Sequence, residues 1–278
     1  MEIDDNFLEK HARRKRTIIV AIFLAIFLLF IFLLYLWLKP APSCFDGKQN
    51  QNELGVDCGG MCAQKCNKIT AQLLTVEDSG FVESGVAGKI DLYGRVSNPN
   101  NVFGSSEFQY EFTVKDNVGN VVATKKGTGY LLPAENKYVI ENNVEIGGVP
   151  STVEFRIVSE KWVEFTDYFE RPQIKIVNKQ YSQINSGVGF SEATGLLKNE
   201  SPFNFNTIKI KVILKDSKGS IIAVNSTEMN TVKLSENRDF KVIWFNRFPG
   251  EVMNVEVQAE VNVFESETFI KQYFVPSL

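Results

Sequence analysis

With 278 residues, 30 Lys and Arg against 33 Asp and Glu, and a formal net charge of −3, the chain offers no basic stripe for phosphate contacts, and nucleic acid is not an expected partner. Its single histidine, His11, precedes the first apolar run, so everything after it lacks imidazole. That removes Ser-His-Asp and Cys-His nucleophile pairs and histidine metal sites, and the chain is expected not to be an enzyme.

Residues 1–17 form a charged tail with no periodic apolar face. From Ile18 to Leu38 the chain uses only Ala, Ile, Val, Phe, Leu, Tyr and Trp. A helix over that run is ~30 Å long, the hydrocarbon thickness of a bilayer. Lys10, Arg13, Arg14, Lys15 and Arg16 crowd its N-terminal side, whereas Lys39 alone follows before Pro40 and Pro42. The positive-inside bias then predicts a cytoplasmic N-terminus, with the chain after about residue 40 outside the cell membrane. Tyr35 and Trp37 suit the outer interface. A cleaved signal peptide has a shorter apolar run followed by a small-x-small site, so an uncleaved, single-pass signal anchor is expected. Pro42, just upstream of Ser43-Cys44, spoils a lipoprotein box.

The next segment, residues 39–68, is a stalk whose turn-rich part holds Cys44, Cys58, Cys62 and Cys66 and almost nothing to bury. Such a segment needs cross-links to keep a shape, and in an oxidising space four clustered cysteines read as disulfides. Three pairings are open. Asp46, Asn50, Glu53 and Asp57 could also hold calcium, a hard cation that takes oxygen ligands; the alternative is a solvated, stapled turn with no cofactor. Asp46, Gly47, Asn50, Glu53, Val56, Asp57, Cys58, Gly59 and Gly60 resemble a small Asp-Gly-x-x-Asn-x-x-Glu-x-x-Val-Asp-Cys-Gly-Gly motif of surface and secreted proteins. That resemblance implies location rather than chemistry.

Beyond residue 69 the pattern becomes that of strands. Phe108, Tyr110, Phe112 and Val114 alternate with Gln109, Glu111, Thr113 and Lys115, and Asp116 to Asn120 turns the chain into Val121-Val122-Ala123. About 100 residues later Ile208, Ile210, Val212 and Leu214 alternate with Lys209, Lys211 and Lys215, with Ile213 breaking the pattern, before Asp216-Ser217-Lys218-Gly219 and Ile221-Ile222-Ala223. Asn98 and Asn199, and Glu135 and Glu236, keep the same offset. Val153, Phe155 and Ile157 close the first unit; Val255, Val257, Ala259, Val261 and Val263 close the second. The expectation is an all-β ectodomain of two tandem immunoglobulin-like β-sandwiches, 69–168 and 173–274, behind the one transmembrane helix, with a short join near Glu170-Arg171-Pro172. The order of Gly-x-Val/Leu-x-Asn strand end, long alternating strand, Asp-x-x-Gly turn and returning strand resembles the FxLYD and late-embryogenesis-abundant type 2 group. The resemblance implies a cell-envelope scaffold or binding module and brings no catalytic residues.

Gly85 to Ile90 lacks the spacer and the Ser/Thr of a phosphate loop and reads as a turn before a strand; Gly127-Thr128-Gly129 reads as a bulge or turn. Trp244, Arg247 and Phe248, with Phe103, Phe203 and Phe205 in matching loops, form a recognition patch if exposed and a strand-end core if not. Asn225-Ser226-Thr227 fits a glycosylation acceptor, whereas Pro202 weakens the one at Asn199. The expected function is a membrane-anchored structural or binding module meeting a protein, glycan or lipid of the envelope. The alternative is an accessory subunit of an envelope assembly or secretion complex.

Overall fold

The computed structural model describes residues 5–38, 43–50, 52–53, 56–58, 60–62, 70–166 and 169–274. The chain divides into two compact units, Met1–Ile69 and Thr70–Leu278. In the first, helix α1 (Asp5–Leu38) runs for 34 residues. Its stretch Arg14–Tyr35 has a mean hydropathy of 3.3, and no part of it is buried by protein. An apolar helix of this length with every face uncovered has the composition of a membrane span. After it, a disulfide joins Cys44 to Cys62 with their Cα atoms 5.7 Å apart.

The second unit contains two sandwiches. The first is built from β1 (Thr75–Glu83), β2 (Lys89–Ser97), β3 (Phe103–Lys115), β4 (Val121–Leu131), β5 (Asn136–Glu145) and β6 (Thr152–Glu164). The second uses β7 (Ile174–Gln183), β8 (Ser191–Asn199), β9 (Phe205–Lys215), β10 (Ile221–Val232), β11 (Asn237–Trp244) and β12 (Asn254–Val261). Sheets ordered β1-β2-β5 and β4-β3-β6 make one sandwich; β7-β8-β11 and β10-β9-β12 repeat that order in the other. Paired strands are antiparallel, so one face of each sheet can be apolar while its alternate residues point away.

The alternation read from the sequence sets the cores. Phe108, Tyr110, Phe112 and Val114 of β3 pack with Leu92 and Val96 of β2 and with Phe155 of β6. Phe112 and Phe155 stack at 4.3 Å between ring centroids. Ile208, Ile210, Val212 and Leu214 of β9 do the same against Ala193, Leu197, Phe240 and Val242. Each such side chain contributes ~1.5–3 kcal/mol through removal of apolar surface from water.

Gly127 and Gly129 lie inside β4, opposite Tyr110 and Phe108 in the register, and Gly129 borders a register shift of the β3–β4 pair between Ser105 and Phe108. A Cβ at Gly129 would lie 2.5 Å from the Phe108 ring, and one at Gly127 would lie 2.3 Å from the Tyr110 hydroxyl. The glycines let large rings lie across the neighbouring strand. Gly129→Val is therefore expected to lower the melting temperature, with a loss of ~1–3 kcal/mol from overpacking. Circular dichroism melts of the variant check this; an unchanged melt would mean that the ring has room to move.

The residues that recur about 100 positions apart hold the turns. Asn98 Nδ2 donates to the Phe103 and Leu132 carbonyls, and Asn199 Nδ2 to those of Phe203 and Lys233. Glu135 Oε2 accepts from Leu132 N and Glu236 Oε2 from Lys233 N. Asp116 and Asp216 each accept two backbone N–H groups within their hairpin turns. These loops would otherwise leave buried backbone groups unpaired.

Where the two sandwiches join, Phe165 packs on Phe169 and Phe274 with ring centroids 4.5 and 4.7 Å away. A seven-residue helix α2 (Glu267–Tyr273), which the strand pattern does not predict, lays Phe269 against Phe203 at 5.2 Å. Arg171, in the expected join, donates to the Pro133 and Ala134 carbonyls of the first sandwich. The turn at Gly85 (φ +74°) meets the second sandwich so closely that a Cβ there would lie 2.3 Å from Asn246 Cβ. Both φ and space demand glycine at this position.

Candidate functional site

The chemistry of the second unit concentrates where its sandwiches meet. On β9, Lys209, Lys211, Ile213 and Lys215 point away from their own core; on β12, Glu256, Gln258 and Glu260 do likewise. In an isolated sandwich this face is wet. Here β5 of the first sandwich covers part of it: Tyr138 and Ile140 pack with Val82 against Ile213 and Val224. Ile213, the residue that interrupts the alternation, is fully buried at this contact. The Tyr138 N–H donates to Gln258 Oε1 at 3.0 Å, and Asn142 Nδ2 donates to the Val224 carbonyl at 3.2 Å.

Beside this apolar contact lies a three-charge cluster. Glu260 Oε2 is 3.0 Å from Lys137 Nζ, and Glu260 Oε1 is 2.9 Å from Lys211 Nζ. Lys211 also donates to the Tyr138 carbonyl, and Lys137 Nζ sits 3.6 Å from the centre of the Tyr130 ring. Lys137 and Lys211 are each only 4% exposed. Burial pushes the Lys211 ammonium down to about 8, because one carboxylate serves two cations and Lys137 repels it. Burial alone would raise Glu260, but the two lysines outweigh it and hold the carboxylate down at about 2. Burial and the Glu260 charge push the Tyr130 hydroxyl up, and burial with the Glu141 hydrogen bond does the same to Tyr110. The hydroxyl of Tyr110 donates to Glu141 at 2.7 Å.

Next to the cluster opens a cavity of about 330 Å³, with walls from both sandwiches that include Thr128, Tyr130, Thr207, Lys209, Glu228 and Glu265. The Lys211 amine spends its hydrogen bonds on Glu260 and on a main-chain carbonyl, and so acts as a fixed charge joining β9, β12 and β5. The arrangement thus locks two sandwiches in one orientation and leaves a polar cleft beside the lock.

The candidate calcium residues are engaged within their own loop. Asp46 accepts from Ser43 N, Lys48 N and Asn50 Nδ2; Asp57 accepts from Asp46 N and Gly47 N; Glu53 Oε2 accepts from Asn50 N and Asp57 N. Hydrogen bonding, first of all from Asn50, lowers Asp46 below its ordinary value. Cys44, Glu53 and Cys62 converge within 4.8 Å, but the two sulfurs are bonded to each other and carry neither a proton nor a thiolate. Asp46, Glu53 and Asp57 do not form such a group. Cys58 is also in a disulfide, and Cys66 lies outside the described residues.

The aromatic recognition patch is corrected. Phe203, Phe205, Trp244 and Phe248 are buried in the second core, and Phe103 is half-buried at the start of β3. Of the group only Arg247 is exposed, lying 5.4 Å from the Phe190 ring centre. Trp244 continues the inward alternation of Phe240 and Val242 on β11, whereas Phe203 and Phe248 lie outside the strands and are buried against Phe269 of α2 and against Phe190 and Trp244. Both glycosylation triplets are occupied structurally: Asn225 Nδ2 donates to the Ile243 carbonyl, and Asn199 is buried. Mass spectrometry of the chain from a glycosylating host is therefore expected to find neither asparagine modified; a glycan on Asn225 would mean that β10 opens. Sequence reading missed Lys137, Lys211 and Glu260. The one available signal was Ile213, an apolar residue on a lysine face.

No protein family matches the sequence, and no curated protein does. Among solved structures, the calcium-binding domain CBD12 of CALX1.1 aligns at 10% identity and TM-score 0.21, over 70% of this chain and 84% of that one. Red sea bream transglutaminase aligns at 10% identity and TM-score 0.23, over 70% of this chain but only 31% of its own length.

Proposed function

We propose that this protein is a single-pass, membrane-anchored module that holds two rigidly joined immunoglobulin-like sandwiches outside the cell membrane, as a non-enzymatic scaffold or binding element of the envelope. The observation that carries the reading is the succession of an uncovered apolar helix, Arg14–Tyr35, and a disulfide that begins at Cys44. Structural disulfides persist on the oxidising side of a membrane, and the basic cluster before Ile18 favours the opposite side for the N-terminus. The FxLYD and late-embryogenesis-abundant resemblance agrees with this placement. The buried lock supports a role in holding a fixed shape, because its charges are committed to each other.

Protease added to intact cells, with any outer wall made permeable, is expected to remove the sandwiches and spare an N-terminal tag. An externally accessible tag would sink the orientation. Crosslinking in intact cells then identifies what the sandwiches meet, and copurification with membrane subunits in detergent would favour the accessory-subunit reading.

A further inference from the structure

We infer that the disulfide-closed loop after α1 lies on the membrane, with Phe45 and Met61 seated at the boundary between headgroups and acyl chains. The inference rests on the membrane anchorage proposed above. The loop leaves two of its large apolar side chains uncovered while it buries one carboxylate. Glu53 is 6% exposed and accepts backbone N–H groups, whereas Phe45 is 87% and Met61 76% exposed. Large apolar groups left uncovered on a loop that follows the apolar helix by a few residues suit a surface that is covered by something apolar.

The disulfide decides where these groups sit. Phe45 and Met61 are the chain neighbours of Cys44 and Cys62, whose Cα atoms are 5.7 Å apart, so their own Cα atoms lie within ~13 Å of each other. Cys44 follows the end of α1 at Leu38 by six residues, a tether of at most ~22 Å. Both side chains are thus held on one short, cross-linked loop within reach of the bilayer surface. Phe and other apolar groups partition a few ångströms into that boundary.

The test places the photocrosslinker p-benzoylphenylalanine at position 45, 61 or 48 of the full-length chain in its own membranes, with unreduced mass spectrometry confirming the Cys44–Cys62 bond. Lys48 is an exposed residue of the same loop and serves as the internal control. After irradiation, phospholipid adducts are expected at 45 and 61 with a yield several-fold above that at 48. Lipid yields no higher than at 48, or adducts to a protein alone, would overturn the inference, the latter in favour of a membrane subunit as the occupant. Carbonate extraction of the same membranes separates the two claims: a chain released by carbonate refutes the anchor itself, whereas a retained chain without lipid adducts refutes only the seating of the loop.

Discussion

Glu260→Gln is expected to cost the sandwiches ~3–5 kcal/mol, because it leaves Lys137 and Lys211 buried beside each other with no counter-charge. Lys211→Met should cost far less, since the remaining Lys137–Glu260 pair is neutral and the methionine fills most of the lysine's volume. The asymmetry follows from one carboxylate serving two cations, with Nζ atoms 3.0 and 2.9 Å from its oxygens. Chemical denaturation of both variants checks it, and equal losses would mean that packing, not charge, governs the cluster.

The pH dependence has a definite sign. Glu260 is held at about 2 against an ordinary 4.5, so its contribution is present above pH ~4.5 and is lost as pH falls toward ~2. The shift corresponds to roughly 3 kcal/mol. Lys211 is pushed the other way for a cation, to about 8 from 10.5. The unfolded chain therefore binds more protons between pH ~8 and ~10.5, and stability from this group rises across that window. The alkaline rise should vanish in Lys211→Met; its persistence would assign it to another group.

Ile213→Lys is expected to separate the melting of the two sandwiches. The substitution completes the lysine alternation of β9, which suits an isolated sandwich, yet it places a charge against Tyr138, Ile140 and Val82 and close to the Lys211 face. Losing the buried apolar contact alone costs ~2–5 kcal/mol, as for large-to-small core changes, and the unpaired cation adds to it. Calorimetry of the parent chain should give one main transition for the second unit and that of the variant two. A single unshifted transition in Ile213→Lys would show that the contact contributes little and that each sandwich stands by itself. The same contact bears on the halves expressed separately. The first would expose Tyr138 and Ile140 and keep Lys137 without Glu260, whereas the second would retain the Lys211–Glu260 pair, so the first should be the less stable.

Strand alternation, turn residues and the apolar run were legible because each is set by neighbours close in sequence. Phe108, Tyr110, Phe112 and Val114 had to share one face, Asp116 and Asp216 had to close turns, and Ile18 to Leu38 had to form a helix of membrane length. The recurring Asn98 and Asn199 were visible as a repeat, although their task of holding loop carbonyls was not. What only the tertiary structure decided was which polar faces stay wet. Local pattern assigns Lys211 and Glu260 to solvent, since alternation says only that they point away from their own sheet's core. A second sandwich laid across that face removes the water and turns three surface charges into a buried lock. Likewise Phe203 and Phe248 carry the composition of a binding patch, and their burial against Phe269 of α2 and against Phe190 rests on contacts between residues far apart in the chain that no local period encodes.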